Sequence, residues 1–158
     1  MDIDMDIFTV SLFGHREIDD YQRLDSALQF IINDLIKTKP YVNFLIGRNG
    51  EFDIYAASVI KSVQSSRRTE NSALILVLPY NVADIKYYEK YYDDIIIPED
   101  IQNAHPKAAI TLKNRWMVEN SDLAIFCVER TNGGAYAAMR YAKKLNKPTV
   151  NIYERYRS

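Results

Sequence analysis

Five glycines occur in the 158 residues of this chain, and they fall in only three short stretches. Gly14 opens "GHRE" (14–17), Gly47 and Gly50 frame "GRNGEFD" (47–53), and Gly133 with Gly134 sits inside "ERTNGGAY" (129–136). Each stretch follows an apolar run. A glycine lets backbone N–H groups face a ligand with no Cβ in the way, and a helix beginning just behind it adds the positive end of its dipole. The chemistry on offer is anion binding. His15, Arg16 and Arg48 add groups able to make charge-assisted bonds to phosphate, while Asn49, Asn132, Ala135 and Tyr136 complete the same stretches. Any one glycine is explained by a turn at the end of a strand. All five at such ends favour a shared site for a phosphate-bearing ligand.

Two carboxylates accompany these glycines. Glu51 and Asp53 stand where a helix begins, and acidic residues in a first turn stabilise a helix by roughly 0.3–1 kcal/mol each. That role, or a bond from Asp53 to ribose hydroxyls, comes first. The second reading is catalytic, since cleaving an N-glycosidic bond builds positive charge on the sugar that a carboxylate can stabilise. His15 is read either as a ligand contact or as a hydrogen-bonded structural residue, because loops at strand ends carry function. The lone Trp116 is read as core first and as a base-stacking platform second. Asn114 and Arg115, beside it, point into the cleft or cover the edge of the core.

The elements that must position these groups follow from periodicity. Apolar runs at 7–14, 41–47, 72–79, 91–98, 122–128 and 147–153 read as strands. Helical spacing marks 20–37, a segment starting at Glu51, 107–119 and 134–146. "QSSRRTENS" (64–72) reads as a polar loop. "YYEKYYDD" (87–94) reads as a surface helix, with a lid or a self-association contact as the second reading. Strands alternating with helices predict one Rossmann-like domain over 1–158, a three-layer α/β/α arrangement on a mostly parallel sheet of five to six strands. Ligands of such sheets bind beyond the carboxyl ends of the strands, where these loops lie.

Composition narrows the classes. The formal net charge is −1 and no basic run exceeds "SSRR", which argues against a nucleic-acid groove. With one cysteine, Cys127, and two histidines, no disulfide framework or Cys/His zinc site is expected, and a reduced cytoplasmic setting follows. The acidic start "MDIDMDIF" is unlike a signal peptide, and no apolar run nears the roughly 20 residues of a membrane span. There is no GxGxxG, no Walker motif and no GxSxG elbow.

The order of motifs resembles the SLOG superfamily, the Rossmann-like group that includes the Smf/DprA proteins and the "lonely guy" (LOG) phosphoribohydrolases. The pieces that carry the likeness are "FTVSLFGHREI", "FLIGRNGEFDIYAASVI", "LILVLPY", "KNRWMVENSDLAIFCV" and "TNGGAYAAMRYAKKLNKPTVNI". The chain is most similar to a small stand-alone branch of Gram-positive bacteria and their mobile elements. The resemblance implies a nucleotide cleft, not catalysis. Against the PGGxGTxxE loop of the LOG enzymes, Gly133 and Gly134 match the paired glycines. Asn132 takes the proline position, Tyr136 the third glycine, Ala137 the threonine and Arg140 the catalytic glutamate. The upstream Arg-Lys pair of those enzymes falls on Lys113 and Asn114, or on Asn114 and Arg115. A cradle without its carboxylate implies binding rather than LOG-type cleavage. The expected function is therefore binding or sensing of a nucleotide-derived small molecule by a homodimer, with no cofactor. The alternatives are an N-glycosidic hydrolase and a nucleic-acid binder like Smf/DprA.

Overall fold

In the computed structural model, residues 6–157 apart from residue 102 are described. The acidic opening stretch, residues 1–5, lies outside them. The chain forms β1 (Ile7–Gly14), α1 (Tyr21–Thr38), β2 (Tyr41–Ile46), α2 (Glu51–Arg67), β3 (Ser72–Val77), α3 (Ile85–Tyr91) and β4 (Asp94–Ile96). A 3-10 turn at Glu99–Ile101 precedes α4 (Pro106–Glu119), β5 (Leu123–Cys127), α5 (Gly134–Lys144), β6 (Thr149–Asn151) and α6 (Ile152–Arg157). The sheet has six strands in the order β4-β3-β2-β1-β5-β6, every pair parallel.

Both faces of the sheet are covered, and the strand sequences show why. Neighbouring residues point to opposite faces, so a strand buried on both must be apolar throughout. Leu12, Phe44, Leu74 and Ile125 pack with α1 and α2 in one cluster. Phe13, Leu45, Ile75, Ala124 and Phe126 pack with α4 and α5 in the other. Phe13 and Phe126 stack there, with ring centroids 5.2 Å apart. Helix α1 starts where Asp20 accepts the Arg23 N–H at 3.1 Å, and it buries Leu24, Leu28, Ile32 and Leu35 on one stripe. Helix α4 starts at Pro106, with His105 Nδ1 accepting the Lys107 N–H at 3.2 Å.

Three elements differ from the sequence reading. Helix α2 runs on to Arg67, taking the first part of the 64–72 loop, because Gln64 bonds Ser72 and Arg67 Nε donates to Asn33 at 2.8 Å. Only Asp94–Ile96 of the 91–98 run pairs as a strand, while Tyr91 closes α3. Strand β6 stops at Asn151 and a short helix follows, where 147–153 reads as one strand. Asn151 makes that corner: its Oδ1 accepts the Val128 N–H at 3.0 Å and the Tyr153 N–H at 3.3 Å, and its Nδ2 donates to Val128 O at 2.9 Å.

Candidate functional site

The chain winds from β1 outward through β2, β3 and β4, then returns to lay β5 and β6 on the other side of β1. The strand order therefore reverses between β1 and β5. The loops leaving these strands part in opposite directions and open a crevice. A cleft of about 240 Å³ lies there, walled by the ends of β1 and β2, the first turn of α2, α4, and the loop from β5 into α5.

The β1 and β2 loops are stitched together beside it. Gly50 gives room for the crossing, since a Cβ there would lie 2.5 Å from Arg16 Cα. The Glu51 N–H donates to Arg16 O at 2.8 Å. The Glu51 carboxylate accepts the Ile18 N–H at 2.9 Å and the Tyr21 hydroxyl at 3.0 Å. Glu51 thus fastens the loop after β1 and does not line the cleft. Gly14 is set by packing, because a Cβ on it would meet the Phe52 ring at 2.1 Å.

His15 lines the cleft but is also a tie. Its Nε2 accepts the N–H groups of Glu129 and Arg130 at 3.1 and 3.2 Å, joining the loop after β1 to the loop after β5. That geometry needs the neutral ring with its proton on Nδ1. Burial, and then the nearby Arg130 guanidinium, hold its pKa below the usual histidine value.

Opposite His15, the loop from β5 reaches Asn132, Gly133 and Gly134. Gly133 has φ 91° and ψ 174°, a region open essentially to glycine alone, and the space where its Cβ would stand holds no atom within 4 Å. Its carbonyl accepts the Ala137 N–H at 3.0 Å, so α5 begins here, and no side chain caps it. The N–H groups of Gly134, Ala135 and Tyr136 form the first turn, whose donors have no partner within a helix. Asn114 Nδ2 lies 3.7 Å from the place of a Cβ on Gly134, so α4 and the start of α5 share this wall.

The floor is ionic. Lys113, on α4, keeps only 2% of its surface exposed and lines the cleft. Asp53, in the first turn of α2, is buried as well, and its Oδ2 accepts the Asn49 N–H at 2.9 Å. Both groups close on Gly47: a Cβ there would lie 2.5 Å from Lys113 Nζ and 3.4 Å from Asp53 Oδ2. Burial pushes the lysine pKa down, offset in part by the Asp53 charge. Burial pushes the Asp53 carboxyl up, offset in part by Lys113 and the Asn49 N–H. Arg16 and Arg130 add exposed cations where they line the cleft.

Of the residues expected to bind ligand, Gly14, His15, Arg16, Gly47, Asn49, Asp53, Asn114, Asn132, Gly133, Gly134 and Ala135 do line this cleft. Arg48, Gly50, Glu51, Arg115 and Tyr136 do not. The Arg48 guanidinium sits 4.8 Å over the Tyr88 ring and reaches the Tyr92 hydroxyl at 3.4 Å, drawn off by the aromatic face of α3. The Arg115 guanidinium lies 5.1 Å over the Tyr141 ring of α5, in a separate groove between α4 and α5. The Tyr136 side chain is half-buried against the core cluster on the α4/α5 face of the sheet. Arg140 is exposed on the outer face of α5, so it neither replaces nor opposes a group in the cleft. Trp116 is half-buried against the core and lines no part of the cleft. Of the two registers open for the upstream pair, the structure places Lys113 and Asn114 at the site. Lys113 and Arg130 were not among the expected ligand residues. Arg130 lies inside the quoted "ERTNGGAY" stretch, and Lys113 stands in one of the two registers.

Solved structures share this Rossmann-like fold. DNA processing protein A from Helicobacter pylori, described for its single-stranded DNA binding mode, superposes with a TM-score of 0.62 at 17% identity, over 90% of this chain and 63% of that one. DprA from Streptococcus pneumoniae gives 0.65 at 13% identity, over 90% of this chain and 49% of that one. The molybdenum cofactor carrier protein of Chlamydomonas reinhardtii gives 0.58 at 16% identity, over 91% and 75%. The chain thus spans between about half and two-thirds of the two DprA chains. No protein-family model matches it, and no curated protein does. No helix among the described residues is long and apolar enough to cross a membrane. No group of three or more His, Cys, Asp or Glu among them is placed to hold a metal ion.

Proposed function

We propose that this protein binds a phosphate-bearing nucleotide or nucleotide-derived small molecule in the β1/β5 cleft, as a sensor or carrier that does not cut it. One observation carries the reading. The open first turn of α5 and the buried Lys113 ammonium, with no hydrogen bond to any described residue, face one cleft beside a glycine that keeps the approach clear. A phosphate seated there would accept from the N–H groups at the helix start and from lysine, and would gain the helix dipole. Glu51 is occupied by Ile18 and Tyr21, which leaves Asp53 as the carboxylate lining the cleft, and Asp53 accepts the Asn49 N–H. That arrangement supports binding over hydrolysis.

Thermal shift against nucleoside mono- to triphosphates, ADP-ribose, NAD and cyclic dinucleotides tests it. A ligand at about a hundred times its Kd stabilises by about 2.7 kcal/mol, or roughly 5–10 °C for a domain of this size. No shift from any member of the panel defeats the reading. Recovery of a cleaved product by chromatography would favour an N-glycosidic hydrolase with Asp53 as its carboxylate.

A second reading draws on the likeness to DprA: the phosphate could belong to a single-stranded oligonucleotide, with Arg16 and Arg130 at the mouth of the cleft. It predicts tight oligonucleotide binding with a steep salt dependence, which the small-molecule reading does not.

A further inference from the structure

Lys113 differs from the other lysines whose ammonium groups turn inward. Lys61 donates to Tyr91 O at 2.6 Å, and Lys147 donates to Glu119 O and Ser121 O at 3.2 and 3.0 Å. Lys113 is more deeply buried than either and has no hydrogen-bond acceptor among the described residues. It is not sealed off: the fully enclosed side-chain polar atom without a partner is Asn71 Oδ1, elsewhere in the molecule. Its amine instead lies against Gly47, in the wall of the cleft, with the Asp53 carboxyl near the same glycine.

An ammonium held this way is costly, because it has lost water and gained no acceptors. The neutral amine is correspondingly favoured, and so is the protonated Asp53 carboxyl. A buried lysine of this kind is a nucleophile toward carbonyl carbon, as in Schiff-base enzymes. The neighbouring helix start would meanwhile anchor a phosphate.

We propose that Lys113 captures a small phosphate-bearing aldehyde or open-chain sugar phosphate as an imine, with the phosphate on the first turn of α5. This rests on the phosphate site proposed above. The lone pair of Nζ attacks the carbonyl carbon, and the C=O π electrons move to oxygen, which takes a proton. The carbinolamine nitrogen gives up its proton, the hydroxyl accepts one and leaves as water, and the C=N bond forms. Asp53 holds and returns the proton. No oxidant or reductant enters.

The probe is pyridoxal 5′-phosphate, which carries an aldehyde and a phosphate on one small ring. The full chain is incubated with it, reduced with borohydride and mapped by mass spectrometry. The expected result is a secondary amine dominated by Lys113, absent in Lys113→Arg, and largely lost when phosphate-free pyridoxal replaces the probe. Label spread over surface lysines, no label, or equal labelling by pyridoxal overturns the proposal. Lys113→Arg keeps the charge but cannot form the imine, so nucleotide thermal shifts are read on it in parallel. If wild type and Lys113→Arg both bind nucleotide while wild type is not trapped, the imine falls and the phosphate site stands. If neither binds, the phosphate site falls first.

Discussion

Replacing Gly133 with L-alanine isolates backbone strain at the candidate site. Its φ of 91° with ψ of 174° lies in a region that costs an L-residue of order 1–3 kcal/mol. A methyl group there would meet no atom within 4 Å, so no steric clash contributes and the whole cost is dihedral. D-alanine at the same place should escape that cost, because the mirror-image residue favours positive φ. It also narrows the unfolded ensemble, an effect worth about 0.4–1 kcal/mol where the native angles suit the residue. Cys127, the chain's one cysteine, offers a ligation point for making both forms with a synthetic C-terminal segment. Urea unfolding should place Gly133→Ala about 1–3 kcal/mol below wild type, and the D-alanine protein at or slightly above it. In melting temperature the loss is about 2–4 °C per kcal/mol. Equal stability of the two alanine proteins would refute the reasoning, whichever way both moved.

Other consequences follow from neighbouring contacts. His15→Ala removes the acceptor of two backbone N–H groups and should cost roughly 1–3 kcal/mol in urea unfolding, at about 0.5–1.5 kcal/mol per bond. Because burial and Arg130 lower the His15 pKa, the unfolded chain takes up a proton first as pH falls. The contribution of His15 is therefore complete above the ordinary value of 6.5 and fades below it, so the slope of melting temperature against pH in that range should flatten in His15→Ala. Gly14→Ala forces a methyl into the Phe52 ring and should cost about 1–3 kcal/mol, partly restored when Phe52→Leu is added, as a double-mutant cycle would read. Glu51→Ala, which loses two such bonds, should lower stability by roughly 1–3 kcal/mol while leaving nucleotide affinity near wild type in calorimetry.

The strand and helix alternation was legible because burial on both faces of a parallel sheet leaves its strands apolar throughout, as in residues 73–77 of β3, while α1 keeps a clean apolar stripe. Gly14, Gly47, Gly133 and Gly134 line the cleft because their positions follow from loop geometry at strand ends, while Gly50 serves the crossing of two loops. Side-chain direction was harder to read. Arg48 stands in the right loop, yet the Tyr88 and Tyr92 rings turn it away. Glu51 stands in the right turn, yet it bonds the loop behind it. A lysine in mid-helix normally reads as solvated, and nothing local to Lys113 says that Gly47 leaves space for its amine. The corner at β6 was hidden for a similar reason, since Asn151 ends the strand through bonds to Val128, distant in sequence.

The central claim is that phosphate sits on the first turn of α5 beside Lys113. Amide-resolved NMR titration of the ¹⁵N-labelled protein with the best nucleotide from the thermal-shift panel tests it directly. Saturable shifts should be largest at the amides of Gly133, Gly134, Ala135 and Tyr136, and should be lost in Lys113→Met. Saturable shifts that centre elsewhere, or that persist unchanged in Lys113→Met, would contradict it.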